Sequence, residues 1–145
     1  MTEIKPNLYL GGYRNANGNI PAWYKSIKAT HVLCVASEIR LPVVDGVIIK
    51  HISFEDDDPS ANIADILPES LEFVNNALNS GGTVLIHCRS GASRAVCVTL
   101  AVLVDRFKYT LVNAFHFVAG RREAMNVFPT YLNQLETWYS LEANS

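Results

Sequence analysis

The chain has 145 residues, of which 49% are hydrophobic and 18% charged, a balance that suits one globular domain over residues 1–145 and no low-complexity tail. A formal net charge of -2 argues against general nucleic-acid or membrane-surface binding, and the longest apolar stretch, near residues 95–104, is too short to insert in a bilayer. Three cysteines without paired spacing suit a reducing interior, and Glu3 and Lys5 do not fit a leader peptide, so the expectation is an intracellular protein, cytoplasmic or nuclear.

In chain order, residues 8–10 read as a short strand ending at Gly11-Gly12, and residues 15–19 as a polar turn. Pro21 suits the first turn of a short helix through Ile27. Two β-branched, apolar runs at 30–35 and 47–52 predict strands separated by the turn residues Asp45-Gly46, with no requirement that they pair. Residues 53–62 form an acidic loop containing Asp56, Asp57, Asp58 and Pro59. Ile66, Leu67, Leu71, Val74 and Leu78 then share one face of a helix that Gly81-Gly82 terminates. Residues 83–86 predict a buried strand and 95–101 a buried helix. Thr110 can cap a further helix through Arg122, and Pro129 opens the last one. Strands interleaved with helices predict an α/β fold, a mainly parallel central sheet flanked by helices, with an anion site at a strand's C-terminal end.

Chemistry concentrates in His87-Cys88-Arg89-Ser90-Gly91-Ala92-Ser93-Arg94, which joins the buried strand to the buried helix. Backbone N–H groups at such a junction lack helical partners, and the helix dipole adds positive charge, so the loop is a ready anion cradle. Gly91 supplies the unusual turn that gathers those N–H groups. A cysteine at a helix N-terminus beside an arginine favours the thiolate, which makes Cys88 a nucleophile. Arg94 can grip two phosphate oxygens at once. Ser93 can donate to the Cys88 sulfur as it leaves, and His87 suits orientation of the loop better than base catalysis. Each residue alone is ordinary: a buried cysteine, a cap serine, a surface arginine. Together they describe a site that cleaves phosphate esters.

Cys88, five residues and then Arg94, with His87 in front and Gly91 and Ser93 inside, resembles the signature of the cysteine-dependent protein tyrosine phosphatases, most closely the small dual-specificity branch. Weaker matches flank it in the expected order: Pro6-Asn7-Leu8-Tyr9-Leu10-Gly11, Thr30-His31-Val32-Leu33 and Asn133-Gln134-Leu135. The resemblance implies that fold over the whole chain and a phosphoprotein substrate, with phosphotyrosine and phosphoserine or phosphothreonine both accepted, because the 87 residues before Cys88 leave little sequence for a pocket-deepening loop. It implies a cysteinyl-phosphate intermediate, a phosphate cradle of Arg89, Ser90, Gly91, Ala92, Ser93 and Arg94, and a general acid that the family pattern lays on Asp57, with Asp56 the neighbouring choice. No cofactor is implied, and the four histidines show no metal-ligand spacing with cysteines. Oligomeric state leaves no sequence signal.

Three alternatives stand beside this reading. Phosphoinositide or other non-protein phosphomonoesters would suit a loop richer in lysine, although Arg89 is basic. A phospho-binding module without turnover would not need Cys88, Arg94 and an aspartate together. A persulfide-carrying sulfurtransferase does not match the pattern from His87 to Arg94. Ala95 departs from the serine common among relatives and removes a hydrogen bond near the helix start, and Cys34 stands where relatives often have asparagine. If its strand adjoins the catalytic strand, Cys34 is a candidate to capture oxidised Cys88 as a disulfide. Arg121 and Arg122 suit a helix's last turn as dipole partners, with a second-phosphate contact as the other possibility.

Overall fold

The structure, a computed structural model, describes residues 1–56 and 58–143, without the side chains of 141–143. Five strands, β1 (Thr2–Lys5), β2 (Leu8–Gly12), β3 (His31–Cys34), β4 (Ile48–His51) and β5 (Val84–Cys88), form one sheet in the order β1-β2-β5-β3-β4. Only β1 and β2 are antiparallel. The helices are α1 (Ile20–Ser26), α2 (Leu67–Asn79), α3 (Arg94–Asp105), α4 (Leu111–Arg121) and α5 (Pro129–Ala143). The mainly parallel sheet flanked by helices agrees with the class expected from the sequence.

One element is new relative to the sequence reading, and one pairing that reading left open is made. β1 precedes the first predicted strand; its sequence Thr-Glu-Ile-Lys has one buried residue, Ile4, and Asn7 at φ 69° makes the turn that folds it onto β2. The strands at 31–34 and 48–51 do pair, in parallel, with His31 opposite Ile48. Helix boundaries follow their caps: Asn19 accepts from Ala22 N–H, Thr110 Oγ1 accepts from Asn113 N–H at 3.1 Å, and Pro68 lies in the first turn of α2. A single 3₁₀ turn, Ile63–Ile66, leads into α2.

The alternation of a strand explains how the central strands divide the core. Val32 and Leu85 pack with Trp23 and Tyr24 of α1 on one face of the sheet, whereas Leu33, Val84 and Ile86 pack with α2 and α3 on the other. Both faces are covered, so β5 is buried at every residue and its sequence is continuously apolar until His87. Each such fully buried aliphatic side chain contributes roughly 1.5–3 kcal/mol. The parallel register brings the C-terminal ends of three strands to one rim: Gly12 lies opposite Cys88, and Cys34 opposite His87. A side-chain clamp holds the β1 hairpin at the other end of β2, where Lys5 lies opposite Leu8 and Leu8 opposite Val84. Lys5 Nζ donates to Tyr109 Oη at 2.6 Å and sits over the Phe117 ring at 4.7 Å.

Candidate active site

Cys88 ends β5 and Arg94 begins α3, so the loop between them crosses the rim. Its carbonyls are turned outward and bonded there. Arg122 Nε donates to Gly91 O at 2.7 Å and Arg122 Nη2 to Ser90 O at 3.3 Å, while Asn126 N–H donates to Ala92 O at 2.8 Å. In a trans peptide the N–H points opposite to the carbonyl it adjoins, so the amides of Gly91, Ala92 and Ser93 face the other way, into the loop. Ala92 N–H meets the Ser90 hydroxyl at a long 3.3 Å, a neutral bond weaker than the one an anionic oxygen would make. Gly91 has φ 69°, and a Cβ on it would strike the Arg122 guanidinium and the Gly11 backbone. A Cβ on Gly12 would strike the Ser90 carbonyl. Backbone therefore packs directly on backbone where β2 supports the loop.

The Cys88 sulfur lies at the bottom of this cradle, 1% exposed, and accepts the Ala95 N–H from the first turn of α3 at 3.4 Å. Ser93 Oγ accepts Phe128 N–H at 2.9 Å from the segment before α5, which runs across the loop; this bond uses a lone pair and leaves the hydroxyl proton as a donor, and no hydrogen bond joins Ser93 to Cys88 among the described residues. Ala95, by contrast, provides the sulfur with its amide and no hydroxyl.

Arg94 is 1% exposed and its five donors can be counted. Nη1 donates to Glu38 Oε1 and to Phe54 O, both at 2.8 Å, and Nη2 donates to Glu38 Oε2 at 2.6 Å. That leaves the side edge, formed by Nε–H and the second Nη2–H. Nε is buried with no hydrogen-bond partner among the described residues, and Asp56 Oδ1 forms an ion pair with it at 3.7 Å. An end-on grip by Glu38 thus fixes the guanidinium plane and presents two parallel donors, the geometry that matches two oxygens of a phosphate.

His87 points to the opposite face of the sheet. Its Nδ1 lies 3.3 Å from Cys88 O, which can only accept, so Nδ1 carries the proton and Nε2 accepts the Tyr24 hydroxyl at 2.8 Å. The Trp23 ring packs on the imidazole at 4.8 Å. Burial pulls the His87 pKa down to about 4, so the ring is neutral and orients the residue beside it. Glu38 is held well below the carboxylate range, at about 2, chiefly by its hydrogen bonds to Arg94.

These two groups set an acid limit. The folded His87 stays neutral while an unfolded imidazole protonates near 6.5, so stability falls as the pH drops from about 6.5 to about 4. Glu38 contributes stability that is complete above about 4.5 and is lost as the pH falls toward about 2. Urea denaturation at a series of pH values is expected to show both losses, and Glu38→Gln should remove the lower one only. A Glu38→Gln variant that keeps the full loss below pH 4.5 would contradict the Arg94 pairing.

A cavity of about 430 Å³ opens beside the loop, lined by Ser37, Glu38, Glu55, Asp56 and Arg89. Arg89 is exposed on its wall, and Ser90, next in the loop, is exposed as well. Asp57 lies outside the described residues; Asp56 and Asp58 flank it, the latter capped by bonds from Ser60. Cys34 is buried opposite His87 on the adjacent strand, the adjacency that disulfide capture requires, and burial pushes its thiol up to about 12. Arg122 is not placed for a second phosphate, because loop carbonyls and Thr2 Oγ1 occupy its guanidinium. Arg121 stacks on Phe117 at 4.7 Å. Sequence reading did not find Glu38, Tyr24 or the structural use of Arg122, whose partners are 56, 63 and 31 residues away.

A parallel strand ending in a buried cysteine, an outward-bonded carbonyl loop and a buried arginine at the helix start define the cysteine-dependent phosphatase superfamily. The family model for the dual specificity phosphatase catalytic domain matches residues 8–140, and the chain belongs to that family. It is 30% identical over 146 residues to dual specificity protein phosphatase 1B of Arabidopsis thaliana, covering 100% of this chain and 86% of that protein. It is 29% identical to serine/threonine/tyrosine-interacting protein A of Xenopus laevis, covering 97% of this chain and 65% of that one. The chain thus spans under two-thirds of the length of some of the curated relatives it matches. The crystal structure of human DUSP28 superposes with a TM-score of 0.88 at 25% identity, with 100% of each chain covered.

Proposed function

We propose that the chain hydrolyses phosphotyrosine and phosphoserine or phosphothreonine esters of proteins through a cysteinyl-phosphate intermediate. The observation that carries this reading is one loop that holds the Cys88 sulfur, bonded by the Ala95 amide, and the buried Arg94, gripped end-on by Glu38 so that its side edge is left for an anion, with inward amides between them. The Cys88 sulfur attacks phosphorus as the ester P–O bond breaks, and the departing oxygen takes the electron pair and a proton from the general acid. Water then attacks phosphorus, giving its proton to the same carboxylate, and the S–P electron pair returns to sulfur as inorganic phosphate leaves. Amides and Arg94 grip the equatorial oxygens best at the transition state, where binding accelerates reaction.

One feature supports a protein substrate over a multiply phosphorylated inositol. The cavity beside the loop is lined by three carboxylates, Glu38, Glu55 and Asp56, and by one cation, Arg89, and with Arg94 already paired to Glu38 that lining offers an additional phosphate a single cation. A second reading, phosphopeptide binding without turnover, is favoured by one observation, the missing hydroxyl at Ala95. Hydrolysis of para-nitrophenyl phosphate and of a phosphoserine peptide separates the two, since a binding module releases phosphate from neither.

Asp57 is proposed as the acid. Asp57→Ala is expected to slow the phosphoserine peptide by about 10² to 10⁴, because an alkoxide cannot leave without a proton, and to affect para-nitrophenyl phosphate weakly. The alkaline limb of the rate profile, which reports the protonated acid, should vanish in that variant and persist in Asp56→Ala. If Asp56→Ala flattens the limb instead, the acid is Asp56.

A further inference from the structure

Tyr131 lies in α5, fully buried, with its ring between Phe54 at 5.3 Å and Phe128 at 4.9 Å. Its hydroxyl donates to Glu55 O at 2.9 Å and accepts Asp58 N–H at 3.4 Å. In sequence, the residues between those two tether points are the carboxylates offered as general acid, Asp56 and Asp57. One turn further along the same helix, Gln134 accepts Ile63 N–H and donates to Ala61 O, both at 2.8 Å. The loop is therefore fastened to α5 at four backbone groups.

The segment that opens this helix is fastened to the catalytic loop as well. Asn126 N–H bonds Ala92 O at 2.8 Å, and Phe128 N–H bonds Ser93 Oγ at 2.9 Å. One stretch, residues 126–134, thus spans from the cradle that would hold the phosphate to the loop that would protonate the leaving group. Backbone hydrogen bonds at both ends leave little freedom for the distance between them.

We propose that Tyr131 is a positioning residue for the general acid: by joining the carbonyl of residue 55 to the amide of residue 58, its hydroxyl fixes the two ends of the short segment that carries the acid. The proposal rests on the phosphatase reading above. A proton donor must sit within hydrogen-bond reach of the oxygen it protonates, and a misplacement of about 1 Å can cost on the order of 10²-fold. The ring alone fills the space between Phe54 and Phe128, so only the hydroxyl can provide this function.

Tyr131→Phe tests it, since the ring and its packing are retained. Turnover of a phosphoserine peptide is expected to fall about 10-fold with KM unchanged, whereas para-nitrophenyl phosphate, whose phenoxide needs little protonation, should change less than about 2-fold. The alkaline limb of the peptide rate profile should flatten in part. Added to whichever of Asp57→Ala or Asp56→Ala removes that limb, Tyr131→Phe should cost nothing further, because both changes disable one device. Equal loss on both substrates, no loss on either, or a full additional loss in the double variant would overturn the role. A parent chain that releases phosphate from neither substrate sinks the phosphatase reading and this inference together, whereas a uniform loss in an active parent sinks only the inference.

Discussion

Cys88→Ser is expected to abolish turnover, by about 10⁴-fold or more, and to leave anion binding in place. The sulfur contributes no donor to the cradle; the amides of residues 91–93, the Arg94 side edge and the Arg122 clamp all remain. Serine in that position is smaller than cysteine, so nothing is displaced. What disappears is the nucleophile, because an unactivated hydroxyl is weak and His87, the adjacent imidazole, faces the other side of the sheet and is already bonded to Tyr24 and the Cys88 carbonyl. A factor of 10⁴ corresponds to about 5.4 kcal/mol of transition-state stabilisation. Phosphate or vanadate titrations of the variant should match those of the parent within a few fold. Loss of anion binding along with activity would place the sulfur in the cradle's architecture rather than in the chemistry.

Arg94→Lys is expected to lose both binding and rate, with kcat/KM down about 10³-fold or more. An ammonium keeps the charge but has three donors on a mobile stem, whereas Arg94 uses three donors on Glu38 and Phe54 and still presents two more. A lysine that satisfies Glu38 has no second planar edge for phosphate. One lost transition-state donor typically costs 10² to 10³, and two are removed here. A lysine turned to the phosphate instead leaves Glu38 unpaired beside the cradle, where its charge repels the substrate. Isothermal titration with phosphate and steady-state kinetics together check this; a variant that loses rate but keeps full phosphate affinity would show that the side edge acts only in the transition state.

The proposed phosphate loop was legible because its parts are contiguous: strand end, candidate nucleophile, glycine and arginine lie within eight residues, and strand-to-helix junctions favour an anion by backbone geometry. The helices were legible from their caps and apolar spacing. What was hidden depends on contacts between distant segments. Glu38 reads as one more surface acid until β3 is placed beside β5, and Arg122 reads as a helix-end cation until its side chain is seen turned inward on Ser90 and Gly91. The bond that Ser93 Oγ accepts from Phe128 N–H is likewise hidden, because its donor lies 35 residues away. β1 lacks an apolar run, and its place depends on Ile4, Asn7 and the ring cluster around Lys5.

The central claim is a covalent phosphoryl group on Cys88. Mixing the protein with a fast aryl phosphate, quenching in acid within the first turnover and mapping the peptides by mass should find one phosphoryl group on the peptide containing Cys88, and none on the same peptide from Cys88→Ser. Phosphate release by the parent with no phosphorylated Cys88 peptide at any quench time would contradict it.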